Sequence, residues 1–278
     1  MELKENTFPS RNSDSLSESG IRKYLDPSLS RLRFSVHQKI DSTNNALKPA
    51  AVDGEDEGLV CVAESQTAGK GRKGRTFFSP NGTGIYMSIL LRPTFSALTA
   101  SLLTAAAAVA VADSIEAIPD GDFYPGIKWV NDIFLDGKKV CGILTEASLS
   151  VENSGLQYMI VGIGINVVDP PGGFPEEIAP IVGSLFGKST VPYDTRNRLI
   201  ADILKRFMDF YAHLEERSFF EPYKKRLFFL GHNITLLTPY GRESAKALDI
   251  TKDCHLVVMT EKNELKELDS GEISIFPY

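Results

Sequence analysis

The sequence predicts a protein that mixes strands and helices as far as residue 230 and then carries a small β-barrel. Strand-like apolar segments alternate with helical patterns along most of the chain. An Asp-Gly pair joins two of the strands, and five short strand-like segments follow Gly231. With 278 residues and 42% apolar composition, the chain can build one large domain and one small one. We expect three parts, at 1–30, 31–230 and 231–278.

The N-terminal part is polar. Residues 1–30 interleave serines with charges of both signs and lack the apolar stretch of a secretory signal, so we predict a loosely ordered arm. A strand is predicted at 32–40. The segment 41–44 then offers side chains that can cap a short helix, which Pro49 ends or limits. Two further strands follow, at 59–64 and 85–91.

Two helical patterns lie in the middle of the chain. Residues 93–112 carry no charge, and by length they could cross a bilayer. Their apolar residues are mostly alanines with threonine and serine between them, so a buried amphipathic helix is the better prediction. Apolar positions from 194 to 217 also recur with helical spacing, and this helix should pack on the sheet. Between the two helices, residues 170–180 are rich in proline and glycine and predict a surface loop.

A hairpin is predicted before that loop. Residues 127–135 and 138–146 flank Asp136-Gly137, a pair that readily adopts the positive φ values of a two-residue turn. A third strand at 157–168 should complete a meander. This strand contains two glycines, which predict either the close approach of a ligand or another backbone, or tight packing against a helix: Gly162 and Gly164.

Charge and cysteine usage limit the functional class. The net charge of −6 and the pI near 5.4 argue against a nucleic-acid surface, since duplex binding normally needs a basic face. The three cysteines are isolated in apolar surroundings and the four histidines are scattered. We therefore expect a reducing compartment, no disulfide framework and no structural metal. The predicted location is the cytoplasm, with no association with membranes.

One short segment departs from the acidic balance. Gly69–Arg75 contains four cations and three glycines, which suits a loop that closes over an anion. Its Gly-x-Gly-x-x-Gly spacing matches a dinucleotide-binding fingerprint, but an aromatic, turn-rich stretch and a strand follow where that motif requires a helix. The Walker pattern also fails, because Gly74 is followed by Arg75 rather than by lysine and then serine or threonine.

Four separated segments place polar and glycine positions at the ends of apolar strands. They are 41–44, 64–75, 128–132 with 138–144, and 161–166. Together they resemble the biotin protein ligase family, whose Gly-x-Gly-Arg-x-Gly-Arg, Lys-Trp-x-Asn-Asp, Lys-x-x-Gly-Ile-Leu and Gly-Ile-Gly-Ile-Asn motifs occur here in family order. The resemblance covers about Arg33 to Ile275. It implies an α+β fold, a mixed sheet with flanking helices followed by a small C-terminal β-barrel.

The resemblance also implies an activity. Biotin and ATP would first give biotinyl-5′-adenylate and pyrophosphate, and the acyl group would then move to a lysine of the biotin carboxyl-carrier domain of a carboxylase. Mg²⁺ would accompany the ATP, near Asp132. Many members also carry an N-terminal winged-helix domain that binds DNA, but residues 1–30 are too few and too polar for one, so no DNA-binding role is expected. The oligomeric state stays open, with a homodimer as one option.

Site residues follow from the same resemblance. Biotin would contact Ser42, Thr43, Asn44, Gln66, Lys70, Gly71, Arg72, Lys139 and Gly142. ATP and the adenylate would contact Arg75, Phe77, Lys128, Asn131, Asp132 and Asn166. Apolar side chains would wall the thioether ring and the valeryl chain: Trp129, Ile143, Leu144 and Ile163. Arg72 and Lys139 are the predicted catalytic residues, because cations must be in place where a carboxylate approaches a polyanion.

Without the resemblance, simpler interpretations are available. Residues 42–44 would be a plain helix cap, Lys139 a solvated lysine beside a turn, and the apolar wall ordinary core. Two positions depart from the family pattern: Val130 stands where proline is usual, and Phe77 where a tryptophan commonly covers the adenine.

Two other functions stay open at this point. A lipoate ligase shares the fold and the adenylate chemistry, although Ser42, Asn44 and Gln66 favour the ureido ring of biotin, whose buried polar atoms need partners. A ligand-sensing or nucleic-acid-binding module would use the cationic loop without catalysis. The acidic pI and the missing winged helix disfavour it.

Overall fold

A seven-stranded mixed sheet forms the centre of the computed structural model, which describes residues 14–96, 99, 102–119, 121–149, 155–189, 191–238 and 241–275. The strand order is β1-β2-β3-β7-β6-β5-β4. β1 and β2 run parallel, and the other neighbours are antiparallel. The strands are β1 (Arg33–His37), β2 (Leu59–Ala63), β3 (Gly84–Leu91), β4 (Gly126–Lys128), β5 (Asp132–Leu135), β6 (Lys138–Leu149) and β7 (Leu156–Asn166).

Helices cover both faces of this sheet, which confirms the predicted fold class. They are α1 (Glu18–Arg22), α2 (Thr43–Val52), α3 (Leu102–Glu116), α4 (Thr195–Ala212) and α5 (Phe220–Arg226). α2 packs with one set of strand side chains, including Cys61, whereas α3 and α4 pack with the alternate set, including Val60 and Val62. Successive strand residues point to opposite faces, so the two helix layers lie on opposite sides of the sheet. None of the helices in the described part of the chain is both long and apolar enough to cross a bilayer.

The predicted amphipathic character of α3 is wrong. Nearly every residue of this helix is buried, and Asp113 and Glu116 at its end both accept hydrogen bonds from Arg226. The helix lies between the sheet and α4 and α5, so it has no broad solvent face. A helix that is apolar all round is typical of this central position.

Local signals gave a mixed outcome. The Asp136-Gly137 turn is confirmed, with φ values of 47° and 75° and antiparallel strands on either side. Pro49, however, lies inside α2 rather than at its end, and the helix continues to Val52. Loss of one backbone donor therefore does not stop a helix whose Leu47 and Ala51 are buried against the sheet.

The C-terminal strands form an open sheet, not the predicted barrel. They are β8 (Asn233–Thr238), β9 (Gly241–Ile250), β10 (Leu256–Thr260), β11 (Leu265–Leu268) and β12 (Ile273–Ser274), in the order β11-β10-β9-β8-β12. Among the described residues the outer strands do not pair with each other. The apolar face of this sheet joins the main core through residues such as Ile234, Leu256 and Ile273. It is buried by the larger domain, so closure on itself is not needed.

Residues 14–30 differ from the predicted loose arm, whereas 1–13 lie outside the described residues. Leu16, Ile21 and Leu29 are buried in the main core. The chain is also tied down by Arg196 of α4, which donates hydrogen bonds to Asp14. Apolar residues spaced among the serines supply this anchoring.

Candidate active site

A cavity of about 210 Å³ opens beside the sheet, and every predicted site residue lines it. Its walls come from the N-terminus of α2, the 66–78 segment, β4 to β7, and residues 271–272 after β11. Residues far apart in sequence thus meet at one place. The predicted apolar residues Trp129, Ile143, Leu144 and Ile163 line the same cavity.

One end of the cavity is polar and lies at the start of α2. Ser42 is the N-cap residue, yet its side chain makes no capping hydrogen bond. The cap is supplied by Gln66, whose Oε1 accepts from the Thr43 backbone N–H at 2.8 Å. Gln66 Nε2 in turn donates to Ser79 Oγ at 2.9 Å. The plain-cap interpretation of Ser42 is therefore wrong, and its hydroxyl is available to a ligand.

Asn44 is held on both sides of its amide. The Ser88 hydroxyl donates to Asn44 Oδ1 at 2.6 Å, and Asn44 Nδ2 donates to Glu146 Oε2 at 2.8 Å. A Cβ at Gly162 would overlap with Asn44 Oδ1, so this glycine admits the amide. Ser88 and Glu146 were not found by sequence reasoning. The signal for Ser88 was a polar residue within an otherwise apolar strand, whereas Glu146 lies in a strand with several other polar residues.

The cationic loop forms a narrow hairpin beside the cavity. Lys70 and Thr76 form an antiparallel bridge, and Gly71 N donates to Arg75 O at 2.7 Å. Gly69 is required here, because a Cβ would lie 2.7 Å from Ser79 Oγ and would overlap with the backbone of the 76–78 stretch. These contacts place the cations of the loop at the rim of the cavity.

Contacts of the loop extend to the segment before β12. Arg72 donates to Asn131 Oδ1 at 3.1 Å and to Gly271 O at 3.3 Å. Glu272 pairs with Arg75 at 2.5 Å and with Lys73 at 3.7 Å. Burial acts to raise the pKa of Glu272, but the hydrogen bond from Arg75 and the nearby positive charges outweigh it, so the pKa lies below its usual value. A carboxylate of the protein itself thus faces Arg75, which was predicted to contact ATP and the adenylate.

The other end of the cavity combines cations with one carboxylate. Lys139 Nζ lies 2.7 Å from Asp132 Oδ1. This oxygen is buried and has no other partner among the described residues. Lys128 is close to both; burial is the main reason that its pKa is lowered, and the Lys139 charge adds to this. Asn166 Nδ2 donates to Gly183 O at 3.0 Å. Lys139 is therefore not simply a solvated lysine beside a turn.

Asn131 is fixed by the strand beside it. Its Nδ2 donates to Ile143 O at 2.8 Å, and its backbone O accepts from Ile143 N at 3.0 Å. With its amide nitrogen engaged by β6, Asn131 presents Oδ1 to Arg72. The Asn131 side chain thus positions a predicted catalytic arginine.

Phe77 forms an aromatic wall. A Cβ at Gly164 would lie 2.7 Å from its ring, and one at Gly142 would lie 3.4 Å from it. Gly162 packs against Asn44 of α2, which is the predicted alternative of tight packing against a helix, whereas Gly164 is approached by the Phe77 side chain rather than by another backbone. The predicted surface loop at 170–180 and the two residues after it contribute apolar lining, which sequence reasoning missed: Phe174, Ile178, Ile181 and Val182.

Trp129 connects the cavity to the C-terminal sheet. Its Nε1 donates to Cys254 O at 2.9 Å, and the ring is almost fully buried. A Cβ at Gly271 would lie 3.5 Å from the indole ring. The tryptophan therefore packs where the two sheets meet.

Known proteins are similar to this chain. The model of the biotin/lipoate A/B protein ligase family matches residues 36–166. The bifunctional ligase/repressor BirA of Bacillus subtilis is 36% identical over 94% of this chain and 79% of its own. The chain belongs to the biotin/lipoate A/B protein ligase family. Within that family, a biotin--[acetyl-CoA-carboxylase] ligase of Mycobacterium tuberculosis is 33% identical over 62% of this chain and 62% of its own.

A solved structure agrees with the family assignment. Biotin protein ligase from Aquifex aeolicus, solved in complex with biotin and ATP, superposes with a TM-score of 0.70 and 29% identity over 87% of this chain and 97% of that one. The likeness extends over most of the described fold.

Proposed function

We propose that the protein is an ATP-dependent biotin protein ligase. It activates biotin as biotinyl-5′-AMP and transfers the biotinyl group to a lysine of a biotin carboxyl-carrier domain. The observation that carries this proposal is a single cavity that joins polar groups suited to a ureido ring with a cluster of cations suited to a carboxylate and a triphosphate. Relatives named as biotin--[acetyl-CoA-carboxylase] ligases support the choice of substrate.

In the first step, a carboxylate oxygen of biotin attacks the α-phosphorus of ATP and pyrophosphate leaves. The obstacle is repulsion between two anions, so preplaced cations lower the barrier. Arg72 is held by Asn131 beside the middle of the cavity, and Lys139 lies at its far end. We assign both to charge stabilisation of the reacting carboxylate and α-phosphate. Arg75 and Lys73 exchange their ion pairs with Glu272 for contacts with the leaving pyrophosphate.

Residues at the cation-rich end also fit Mg²⁺ carried in by ATP. Mg²⁺ is usually held by one or two carboxylates together with phosphates and water, and Asp132 offers a buried oxygen with no other hydrogen bond. No cluster of three or more possible protein ligands occurs in the part of the chain described by the structure. Asp132 would hold the ion, which would neutralise phosphate charge.

In the second step, the amine of the carrier lysine attacks the carbonyl carbon of the mixed anhydride and AMP leaves. The amine loses a proton as the amide forms. Placing the amine next to the bound adenylate supplies much of the rate gain. The cationic hairpin and the 174–182 stretch cover the anhydride from water until the carrier arrives.

Isotope exchange between pyrophosphate and ATP tests the first step. Exchange should require biotin and should not proceed with lipoate. Exchange that occurs with lipoate but not with biotin would show that the protein is a lipoate ligase instead. Arg72→Ala should slow the exchange by about 100-fold.

Mass spectrometry of a carrier domain tests the second step. Incubation with protein, biotin and ATP should add one biotinyl group to the carrier. A carrier whose acceptor lysine is changed to arginine is the control and should stay unmodified. An unmodified wild-type carrier, with exchange intact, would refute the transfer step.

A further inference from the structure

Glu146 on β6 lies behind the polar end of the cavity and does not line it. Its carboxylate accepts from Asn44 Nδ2 at 2.8 Å and from Lys48 Nζ at 2.9 Å, and Lys70 Nζ lies 3.7 Å away. Lys48 follows Asn44 by one turn of α2, so both reach the same carboxylate. None of the roles assigned above uses this group.

The protonation state of Glu146 matters because a protonated carboxyl group could donate a hydrogen bond to the amide oxygen of Asn44. Burial acts to raise its pKa, but hydrogen bonds from Asn44 and Lys48 and the charges of Lys48 and Lys70 lower it by more. The carboxylate is ionised at neutral pH and can only accept hydrogen bonds.

A half-turn of an asparagine amide exchanges the positions of its carbonyl oxygen, which accepts hydrogen bonds, and its NH₂ group, which donates them. A carboxylate on one side requires the NH₂ end of Asn44 to face it. The carbonyl oxygen then lies beside Gly162, which lines the cavity, and receives the Ser88 hydroxyl. Ser88 is completely buried, so water does not compete for this bond.

We propose that Glu146 is a positioning residue that fixes the polarity of Asn44, so that an acceptor rather than a donor is offered to the ring N–H of the substrate. This inference rests on the proposed function, because it assumes a cyclic urea at this end of the cavity. Lys48 holds Glu146 in place by its ammonium group.

Glu146→Gln tests the inference at constant volume. The ammonium of Lys48 takes the one carbonyl oxygen of the new amide, which leaves an NH₂ group facing Asn44. Asn44 then turns its oxygen outward and its NH₂ group toward the cavity. KM for biotin should rise about ten-fold or more, while KM for ATP and kcat at saturating biotin change by less than about three-fold.

A second substitution separates orientation from general damage. In the double variant Glu146→Gln, Lys48→Met, the glutamine oxygen is free to accept from Asn44, and KM for biotin should return toward the wild-type value. A merely structural role predicts further loss instead. Glu267→Gln, which alters an exposed pair with His255, is the matched control and should leave KM for biotin unchanged.

The outcomes are distinct. Wild-type protein without biotin-dependent exchange would refute the proposed function. Normal wild-type exchange with an unchanged KM for biotin in Glu146→Gln, or no recovery in the double variant, would overturn the role of Glu146. If Glu146→Gln does not fold, Ser88→Ala breaks the same chain of hydrogen bonds from the other side; a raised KM for biotin is then expected, and an unchanged KM overturns the inference.

Discussion

At the scale of single residues, two glycines of β7 make room for the two ends of the site. A Cβ at Gly162 would overlap with the Asn44 amide, and one at Gly164 would lie 2.7 Å from the Phe77 ring. Under the proposed function, these two positions on one face of the strand would control different substrates. Sequence alone allowed helix packing as an equal explanation, because a glycine does not indicate which group approaches it.

Replacing each of these glycines by alanine should therefore raise KM for a different substrate. Gly162→Ala displaces Asn44 and should raise KM for biotin about ten-fold or more, with little change in KM for ATP. Gly164→Ala displaces Phe77 and should do the reverse. Steady-state exchange kinetics with each substrate varied will measure both, and each variant serves as the control for the other. Equal effects on both substrates would contradict this division.

Lys139 offers a second prediction at this scale. Lys139→Met should slow adenylate formation by about 100-fold, because a positive charge beside the reacting groups is lost. Its melting temperature should also fall, because the buried oxygen of Asp132 loses its ammonium partner. Lys205→Met on α4, far from the cavity, is the control. Single-turnover formation of the adenylate will measure the step directly, and an unaffected rate would remove Lys139 from the chemistry.

At the scale of elements, the cationic hairpin is held by a carboxylate from the C-terminal segment. Glu272 forms ion pairs with Arg75 and Lys73, the two cations that we propose for contacts with phosphates. The pairing ties the hairpin to residues 271–272, which line the same cavity. Under the proposed function, ATP would compete with Glu272 for these cations, and the strength of the pairing would set part of the cost of nucleotide binding.

This pairing should depend on pH. The pKa of Glu272 is lower in the folded protein than its usual value, so the pairing stabilises the closed hairpin above the ordinary carboxyl pKa and is lost as the pH falls through the lowered one. Amide hydrogen exchange of residues 69–75, corrected for intrinsic rates, should rise below about pH 4. Glu272→Gln should exchange quickly already at neutral pH. Protection equal to wild type in that variant would show that the backbone contacts alone hold the hairpin.

At the scale of the whole molecule, the N-terminal segment is fastened to the sheet through a buried ion network. Arg196 of α4 pairs with Glu64 at 2.7 Å and with Asp14 at 2.9 Å, and Glu64 Oε1 accepts from Leu16 N at 2.7 Å. Arg196 and Glu64 are each 4% exposed. Glu64 directly follows β2 and lies two residues before Gln66, so this network also supports the polar end of the cavity.

Removing Arg196 should therefore be costly. Arg196→Met leaves Glu64 buried without its counter-ion and should lower the free energy of unfolding by about 3–5 kcal/mol. Arg206→Met, which alters a partly exposed pair with Asp202, should cost less than about 1 kcal/mol. Urea denaturation will measure both. The double variant Arg196→Met, Glu64→Gln should be less destabilised than the sum of the single variants, and strict additivity would contradict a coupled network.

The sequence was most informative where structure is local. The Asp136-Gly137 turn and the C-terminal strands follow from short patterns, and family motifs brought all predicted site residues to one cavity. Whether the C-terminal sheet closes, and whether α3 has a solvent face, depends on which elements pack against them. The periodicity of a single segment carries no information about those elements. Glu146 and Glu272 escaped notice because their partners are remote in sequence, and a charged residue usually indicates a solvated position.

The position of Trp129, beside both the cavity and Cys254, has a practical consequence. The sequence contains one tryptophan, and it lies where the cavity meets the C-terminal sheet. Intrinsic fluorescence excited at the red edge of the absorption band therefore comes from this junction alone. The native protein thus contains its own optical probe, with which stopped-flow mixing can time the arrival of each small molecule without any attached dye.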